Sequence, residues 1–318
     1  MLYLFAVKPD ICVDSSEVRN PESGNVKMGK EYSMKGIAFS LVICVGIAAV
    51  TFSVCGKMDS SGRWIDRSTP ADAQPCNKFV GSGWKLEFSD EFNDGRIDTT
   101  KWVVKDEYRG SRPELGIERW FFKPEAVEER NGNLFLDVRK VGKDTMYCGS
   151  VYSNGKYYIH HGYAEARIRL ADIRMSALTA FWLQSPTMRS IDGTGNDGAE
   201  IDIFESAYTS DTIITTIHID GYEEAHQEKN FRYAAPGIHE GYHIWGMWWD
   251  DDGIRIFLDG ELKAEFDGIW VPRKEIDEYL YLSTVATFSG EGDFVSQPAD
   301  SSLTQACFDY VRVWTKSR

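Results

Sequence analysis

Three acidic side chains, those of Glu200, Asp202 and Glu205, lie within one short apolar, β-prone segment. Acidic residues are depleted in β-strands, and burying an unpaired carboxylate costs free energy. Ile201 and Ile203 alternate with the first two acids, so a strand would place the isoleucines on one face and the acids on the other. Such a segment suits hydrolytic chemistry better than a plain core strand. The alternative is a solvated edge strand whose acids prevent pairing with other chains.

Strict alternation would send Glu205 to the isoleucine face. One extra residue around Ile203 and Phe204, a β-bulge, would return Glu205 to the acidic face, and bulges are frequent beside active sites. We therefore predict a bulge here and three converging carboxyl groups. Repulsion among them should raise at least one pKa and supply a proton donor near neutral pH. A retaining glycosidase needs such a donor and a carboxylate nucleophile roughly 5–5.5 Å apart.

The pattern Glu200-x-Asp202-x-x-Glu205 resembles the signature of glycoside hydrolase family 16, in its bulged, laminarinase-like form. Further segments of this chain resemble that family in the same order, over about residues 82 to 315. They are Phe88–Asn93 followed by Lys101-Trp102, Asn131–Leu136, His161–Leu170, Ala180–Leu183, Trp249–Gly260 and Phe308–Trp314.

The resemblance implies an all-β fold, a jelly-roll sandwich of the concanavalin A type with an open cleft on its concave sheet. Many short strands with turn residues between them agree with this, and the clearest hairpin turns on Asp259-Gly260. The implied activity is that of a retaining endo-β-glycanase. Glu200 would be the nucleophile, Asp202 the assisting acid and Glu205 the acid/base. A non-catalytic carbohydrate-binding lectin on the same sandwich is the alternative from another functional class.

Several residues are expected to line the cleft. If residues 199–206 and 212–219 form an antiparallel pair, His218 lies opposite Glu200 on the same face. Tryptophans can stack on the flat faces of sugars, and here the candidates are Trp182 and Trp120. Asp220, Tyr222, His226 and Gln227 follow the second strand and could bind sugar hydroxyls. Four other tryptophans, Trp102, Trp245, Trp249 and Trp314, are expected in the core.

The resemblance requires no cofactor. Some family members bind a structural calcium ion through a main-chain oxygen like that of Gly132 and a carboxylate like that of Asp309, which are suitable ligands for that cation. The expected partner is a polysaccharide. A net charge of −14 argues against nucleic acid. The predicted oligomeric state is a monomer.

The polysaccharide is the least determined part of the prediction. The laminarinase-like signature favours β-1,3-glucan or mixed β-1,3/1,4-glucan. Laminarinases often carry Trp-Pro before the alanine of Ala-Phe-Trp-Leu and again before the acidic strand, whereas this chain has Leu178-Thr179 and Gly195–Gly198 there. Galactans of the agar or porphyran type, or mucin-type glycans, are therefore the alternative substrates.

The N-terminal part predicts export. Residues 36–54 are apolar and nearly uncharged, which is typical of a secretory signal peptide over residues 34–54, with residues 1–33 an upstream over-extension. A membrane-spanning helix is the alternative. Cys55 ends an imperfect lipoprotein box, so we expect a lipid anchor there, a polar tether over residues 55–80 and the catalytic domain over 81–318. The lipid would be the chain's contact with a bacterial membrane, at the cell surface or in the periplasm. One disulfide among Cys76, Cys148 and Cys307 is possible.

Overall fold

A computed structural model of the chain describes residues 64–206, 211–287 and 292–316, and these residues form two β-sheets packed face to face. The predicted signal peptide, over-extension and Cys55 anchor lie outside the described residues. Within those residues, no helix has the length and apolar character that a membrane crossing requires. The helical elements are short 3₁₀ turns at Lys78–Val80, Pro113–Leu115, Pro124–Ala126, Ile173–Met175, Gly195–Asp197 and Gly268–Trp270.

The strands, numbered in chain order, are β1 (Trp84–Asp90), β2 (Val103–Val104), β3 (Glu107–Arg112), β4 (Ile117–Phe122), β5 (Val127–Arg130), β6 (Asn133–Val141), β7 (Thr145–Cys148), β8 (Ser150–Tyr152), β9 (Gly162–Arg169), β10 (Ala177–Gln184), β11 (Ala199–Glu205), β12 (Thr212–Ile219), β13 (Gln227–Ala234), β14 (His243–Asp250), β15 (Gly253–Leu258), β16 (Glu261–Phe266), β17 (Tyr279–Ala286) and β18 (Ser301–Lys316).

The first sheet has eleven strands. Its main path is β16-β15-β14-β9-β18-β6-β7-β4-β3, with β1 paired to β18 and β5 paired to β6. The second sheet has seven strands in the order β13-β12-β11-β10-β17-β8-β2. Pairing is antiparallel in both sheets except between β4 and β7. The all-β sandwich predicted from the sequence is confirmed, and the strand β11 that carries the acids lies inside the second sheet rather than at its edge.

Alternating apolar residues from both sheets fill the space between them, because each strand presents every second side chain to the partner sheet. Trp102, Trp245, Trp249 and Trp314 are each at most 1% exposed, which confirms their predicted place in the core. The predicted hairpin at Asp259-Gly260 joins β15 to β16, and both turn residues have positive φ, as a primed turn needs.

The end of the predicted tether differs from expectation where the structure describes it. Trp64 packs against the main core, and its carbonyl accepts a hydrogen bond from the Ser89 N–H. The Cys76 N–H donates to Glu165 at 2.9 Å, and the Trp314 indole donates to the Ala73 carbonyl. Residues 64–80 therefore lie against the domain. Aromatic and backbone groups within a polar-looking segment make these contacts. The thiols of Cys76, Cys148 and Cys307 are all free.

Candidate active site

The bulge predicted in the acidic strand is present. In the pairing of β11 with β10, Asp202 lies opposite Trp182 and Phe204 lies opposite Phe181, so Ile203 is the extra residue. The pairing of β11 with β12 shifts between Asp202 and Glu205 in the same way. The predicted bulge around Ile203-Phe204 is thus confirmed.

The bulge has a packing cause. Ile203 and Phe204 are both fully buried in the core, and the Phe204 ring stacks on Trp245 with ring centroids 3.8 Å apart. Two consecutive residues can point into the core only where regular alternation is broken. That break returns Glu205 to the face that carries Glu200 and Asp202. We call this surface of the seven-stranded sheet the acidic face.

His218 completes the centre of the acidic face. It lies directly opposite Glu200 in the β11–β12 pair, as predicted. Its Nε2 atom is 3.3 Å from Asp202 Oδ2 and 3.9 Å from Glu200 Oε1. Its Nδ1 atom is 2.9 Å from Nε2 of His226, so the structure also brings this second predicted residue to the site.

Hydrogen-bond donors converge on Glu200. Gln184 Nε2 donates to Glu200 Oε2 at 2.8 Å, and the Tyr222 hydroxyl donates to the same oxygen. The Tyr279 hydroxyl in turn donates to Gln184 Oε1 at 2.6 Å. Sequence reasoning missed Gln184 and Tyr279, whereas Tyr222 was among the loop residues expected near the sugar. The signal for Gln184 was its two-residue spacing from Trp182 in a strand, which places both on one face.

Burial and mutual repulsion set the protonation of the acids. The pKa of Glu200 is raised to about 7, first by burial and then by the Asp202 charge, while His218 and the Tyr222 hydroxyl lower it. The pKa of Glu205 is also raised, by burial first and then by Asp202. Burial raises the pKa of Asp202 as well. The cluster can therefore hold protons near neutral pH, as a site for general acid catalysis requires.

Aromatic rings continue across the acidic face from the acids. Trp182, opposite Asp202, stacks on Tyr281 with centroids 3.9 Å apart, and Tyr281 stacks on Tyr152 at 5.3 Å. Lys105 Nζ lies 4.7 Å from the centre of the Tyr152 ring. We call Trp182, Tyr281 and Tyr152 the aromatic row. Trp182 was predicted, whereas the two tyrosines come from β17 and β8, strands that the sequence motifs did not align with the acids.

Comparison with known proteins identifies the family. Residues 84–316 match the family model for the GH16 domain of beta-porphyranases A–D. The chain belongs to glycoside hydrolase family 16. Beta-porphyranase E of Zobellia galactanivorans is 30% identical over 252 residues, covering 72% of this chain and 86% of that protein. Beta-porphyranase C of the same organism is 29% identical over 275 residues, covering 71% and 76%.

A solved structure agrees with this assignment at the level of the fold. The laminarinase catalytic domain of Thermotoga maritima superposes with a TM-score of 0.59 at 23% identity, covering 74% of this chain and 100% of that one. The resemblance to family 16 seen in the sequence is confirmed. As a family 16 member, the chain is an endo-acting glycoside hydrolase, and the acidic face is its candidate active site.

Two cleft residues predicted for this family 16 enzyme lie elsewhere. Trp120 is 1% exposed and packs in a separate core cluster with Phe122, because its strand β4 belongs to the larger sheet. Asp220 is 2% exposed. One of its oxygens accepts from the N–H groups of residues 192 and 193 and the other from Gln227 Nε2. Asp220 therefore fixes the loops beside the cleft, and its carboxylate is not available to a sugar.

The residues proposed for a structural calcium ion have other contacts. Gly132 has a φ of 72° in the turn between β5 and β6. Asp309 lies on β18 and pairs with Arg167, with Oδ2 and Nη1 2.6 Å apart. A calcium ion would have to compete with this arginine for the carboxylate. Calcium binding at Gly132 and Asp309 stays a prediction.

Proposed function

We propose that this family 16 enzyme is a retaining endo-β-galactanase, which cleaves internal β-linkages of an algal-type galactan by double displacement. The observation that carries the mechanism is the bulged strand β11, which brings Glu200, Asp202 and Glu205 onto one face. The observation that carries the substrate is the match of residues 84–316 to the porphyranase domain family.

In the first step, a Glu200 oxygen attacks the anomeric carbon and forms a glycosyl ester. The bond from that carbon to the glycosidic oxygen breaks, and the leaving oxygen takes the proton of Glu205. In the second step, Glu205 removes a proton from a water molecule, which attacks the same carbon and releases Glu200. Each displacement inverts the anomeric centre, so the product keeps the β configuration.

The surroundings of the two glutamates support this division of roles. Glu200 accepts hydrogen bonds from Gln184 and Tyr222, and these stabilise its anionic form. Glu205 is half-buried beside Asp202, and both the loss of solvent and the neighbouring acid favour its protonated form. Asp202 lies between them, with His218 Nε2 3.3 Å away. A charge on Asp202 therefore disfavours the anion of Glu205, and the imidazole of His218 is positioned beside the Asp202 carboxylate.

The aromatic row offers a platform for the polymer on one side of the acids. Trp182, Tyr281 and Tyr152 lie on three adjacent strands, β10, β17 and β8. Tyr281 is only 3% exposed and supports its neighbours, so the half-buried Trp182 and Tyr152 are the rings that can meet sugar units along a chain. Lys105 lies over the end of this row. Burial raises the pKa of both Glu200 and Tyr281, and the positive charge of Arg109 partly opposes that rise at each of them.

Lys105 and Arg109 make this end of the cleft locally positive, although the whole chain carries a net charge of −14. Lys105 and Arg109 both pair with Glu107, at 2.8 and 3.0 Å, so the group keeps one net positive charge. A positive group beside a sugar platform favours an anionic substituent on the polymer over a neutral glucan. This is a second observation in favour of a substituted galactan.

Hydrolysis of purified polysaccharides tests the proposal. Release of reducing ends from porphyran, agarose, kappa-carrageenan, laminarin, lichenan and a mucin glycan fraction would be compared side by side, with the Glu200→Gln variant as the inactive control. We expect release from one or more galactose polymers. Release confined to laminarin or lichenan would overturn the galactan and restore the glucan predicted first from the sequence. Tight binding without release on every polymer would instead indicate a lectin.

We also propose that the enzyme is exported and anchored by lipid on Cys55, and that it acts as a monomer. Polymers too large for import must be cut outside the cytoplasm, which is the argument for this location. Labelling of cells with palmitate tests the anchor. A Cys55→Ala protein that fractionates like the wild type would contradict it, and size-exclusion chromatography with light scattering tests the monomer.

A further inference from the structure

We propose that His218, His226 and Glu228 form a binding site for a divalent transition-metal ion of the zinc class, and that an ion bound there blocks hydrolysis. Their ligand atoms all lie within 4.8 Å of one another. His218 Nδ1 is 2.9 Å from His226 Nε2 and 3.6 Å from Glu228 Oε2.

These separations suit one shared ion. Zinc binds imidazole nitrogens and carboxylate oxygens at about 2.0–2.2 Å in tetrahedral geometry, which places neighbouring ligand atoms about 3.3–3.5 Å apart. The two measured separations from His218 Nδ1 lie on either side of that value. Small side-chain rotations would therefore admit an ion, with water in the fourth position.

Paired strands hold two of the three ligands. His218 on β12 and Glu228 on β13 are directly opposite each other in the antiparallel pair. His226 ends the turn that joins these strands, and a hydrogen bond of 2.9 Å from Gln227 to the buried Asp220 fixes that turn. Ligands on paired strands keep their geometry better than ligands on long loops.

The other nitrogen of His218 already has the partner that a metal-bound histidine requires. An ion on Nδ1 leaves the N–H on Nε2, and that atom faces Asp202 Oδ2 at 3.3 Å. A carboxylate in this position orients the ring of a metal-ligating histidine. Two imidazoles with one carboxylate favour zinc, copper or nickel over magnesium or calcium, which prefer oxygen ligands.

Occupation would affect the proposed reaction through geometry. The ion would sit one imidazole ring away from Glu200, and it would fix His226 in the cleft where a sugar unit must pass. We therefore expect competition between metal and polysaccharide. This inhibitory half rests on the proposed function, whereas metal binding itself does not.

Isothermal titration calorimetry with zinc chloride, on the full domain stripped of metal, tests the site. We expect one ion per chain for the wild type and no comparable heat with magnesium chloride. Glu228→Gln should weaken zinc binding at least about tenfold, since ligand loss costs no less than loss of a supporting residue. Glu224→Gln is the matched control, because it removes an exposed carboxylate of the same turn and should bind like the wild type.

Absence of stoichiometric binding, or equal binding by the wild type and Glu228→Gln, would overturn the site. Thermal unfolding in EDTA checks that all three proteins are folded. In hydrolysis assays, zinc should slow the wild type, EDTA should restore it, and Glu228→Gln should be less sensitive relative to its own zinc-free rate. Zinc binding without inhibition would overturn the inhibitory half. A wild type that is inactive without zinc would count against the proposed function, and calorimetry alone would then decide the site.

Discussion

Two glutamates with the same exposure have opposite surroundings. The side chains of Glu91 and Glu200 are each 13% exposed. Glu91 receives both arms of the Arg312 guanidinium, at 2.8 Å each, and a hydrogen bond from Thr69. Glu200 instead stands beside Asp202 on a strand that also carries Glu205.

The comparison separates structural from catalytic carboxylates. A buried carboxylate that meets a matched cation stabilises the ionised form and joins distant parts of the chain. A buried carboxylate that meets other carboxylates has a raised pKa, so it can gain or lose a proton near neutral pH. Its charged form lowers the stability of the fold. In this protein the first kind joins strand β18 to the end of β1, and the second kind lies on either side of the bulge in β11.

The largest expected effect is on turnover. Glu200→Gln should lower kcat by about 10⁴-fold or more, because the neutral amide cannot form the glycosyl ester. Glu91→Gln, the same substitution at matched exposure, should leave kcat within about threefold. Reducing-end assays on the best galactan measure both. A Glu200→Gln protein that keeps more than a tenth of the wild-type rate would refute the assignment.

Loss of the acid should depend on the leaving group. Glu205→Gln should slow polysaccharide hydrolysis by about 10²–10⁴-fold, since it removes proton transfer to the departing oxygen. Aryl glycosides of an acidic phenol need little protonation, so their kcat/KM, which reports the first displacement, should fall far less. Comparing the two substrate types on one variant tests the role, and equal losses on both would indicate that Glu205 does not act as the acid.

The same pair of substitutions should change stability in opposite directions. Glu91→Gln should lower the free energy of unfolding by about 3 kcal/mol, because it leaves the Arg312 charge without its partner.

The pKa of Glu200 in the folded state is raised from 4.5 to about 7. Between these two pH values the native state therefore holds more protons than the unfolded state, so the free energy of unfolding of the wild type falls as pH rises. Glu200→Gln has no carboxylate to ionise, so above pH 7 its free energy of unfolding should exceed that of the wild type by roughly 1–3 kcal/mol.

Urea unfolding at pH 4 and pH 8 measures this contrast. The advantage of Glu200→Gln over the wild type should be present at pH 8 and absent at pH 4. An advantage of equal size at both values would mean that the amide stabilises through packing rather than through the avoided charge.

The smallest expected effect concerns the donor to Glu200. Tyr222→Phe should lower kcat/KM about tenfold, the usual size for loss of one hydrogen bond to a charged group. Since the hydroxyl lowers the pKa of Glu200, its removal should move the acidic limb of the pH–rate profile to higher pH. A profile that is lower but unshifted would show that Tyr222 acts on the substrate rather than on the nucleophile.

Local patterns were enough to predict much of the site. Alternation of acids and isoleucines predicted the shared face, and the offset of Glu205 predicted the bulge. The position of His218 followed from counting across the β11–β12 turn, since sequential strands often pair. The family resemblance supplied the sandwich itself.

Contacts between distant strands were beyond the sequence. Tyr281 reaches the aromatic row because β17 inserts next to β10, a pairing that spans about a hundred residues. Trp120 was misplaced for the same reason, because its strand joins the other sheet. Asp220 was misread because its buried carboxylate serves backbone N–H groups of a preceding loop.

Trapping of the glycosyl-enzyme tests the central claim most directly. A 2-deoxy-2-fluoro galactooligosaccharide with an activated leaving group slows the second displacement more than it prevents the first, so the ester accumulates. Mass spectrometry of the digested protein should find the sugar on the peptide that contains Glu200 and on no peptide of the Glu200→Gln variant. An adduct on another residue, or a product released with inverted anomeric configuration, would contradict the account.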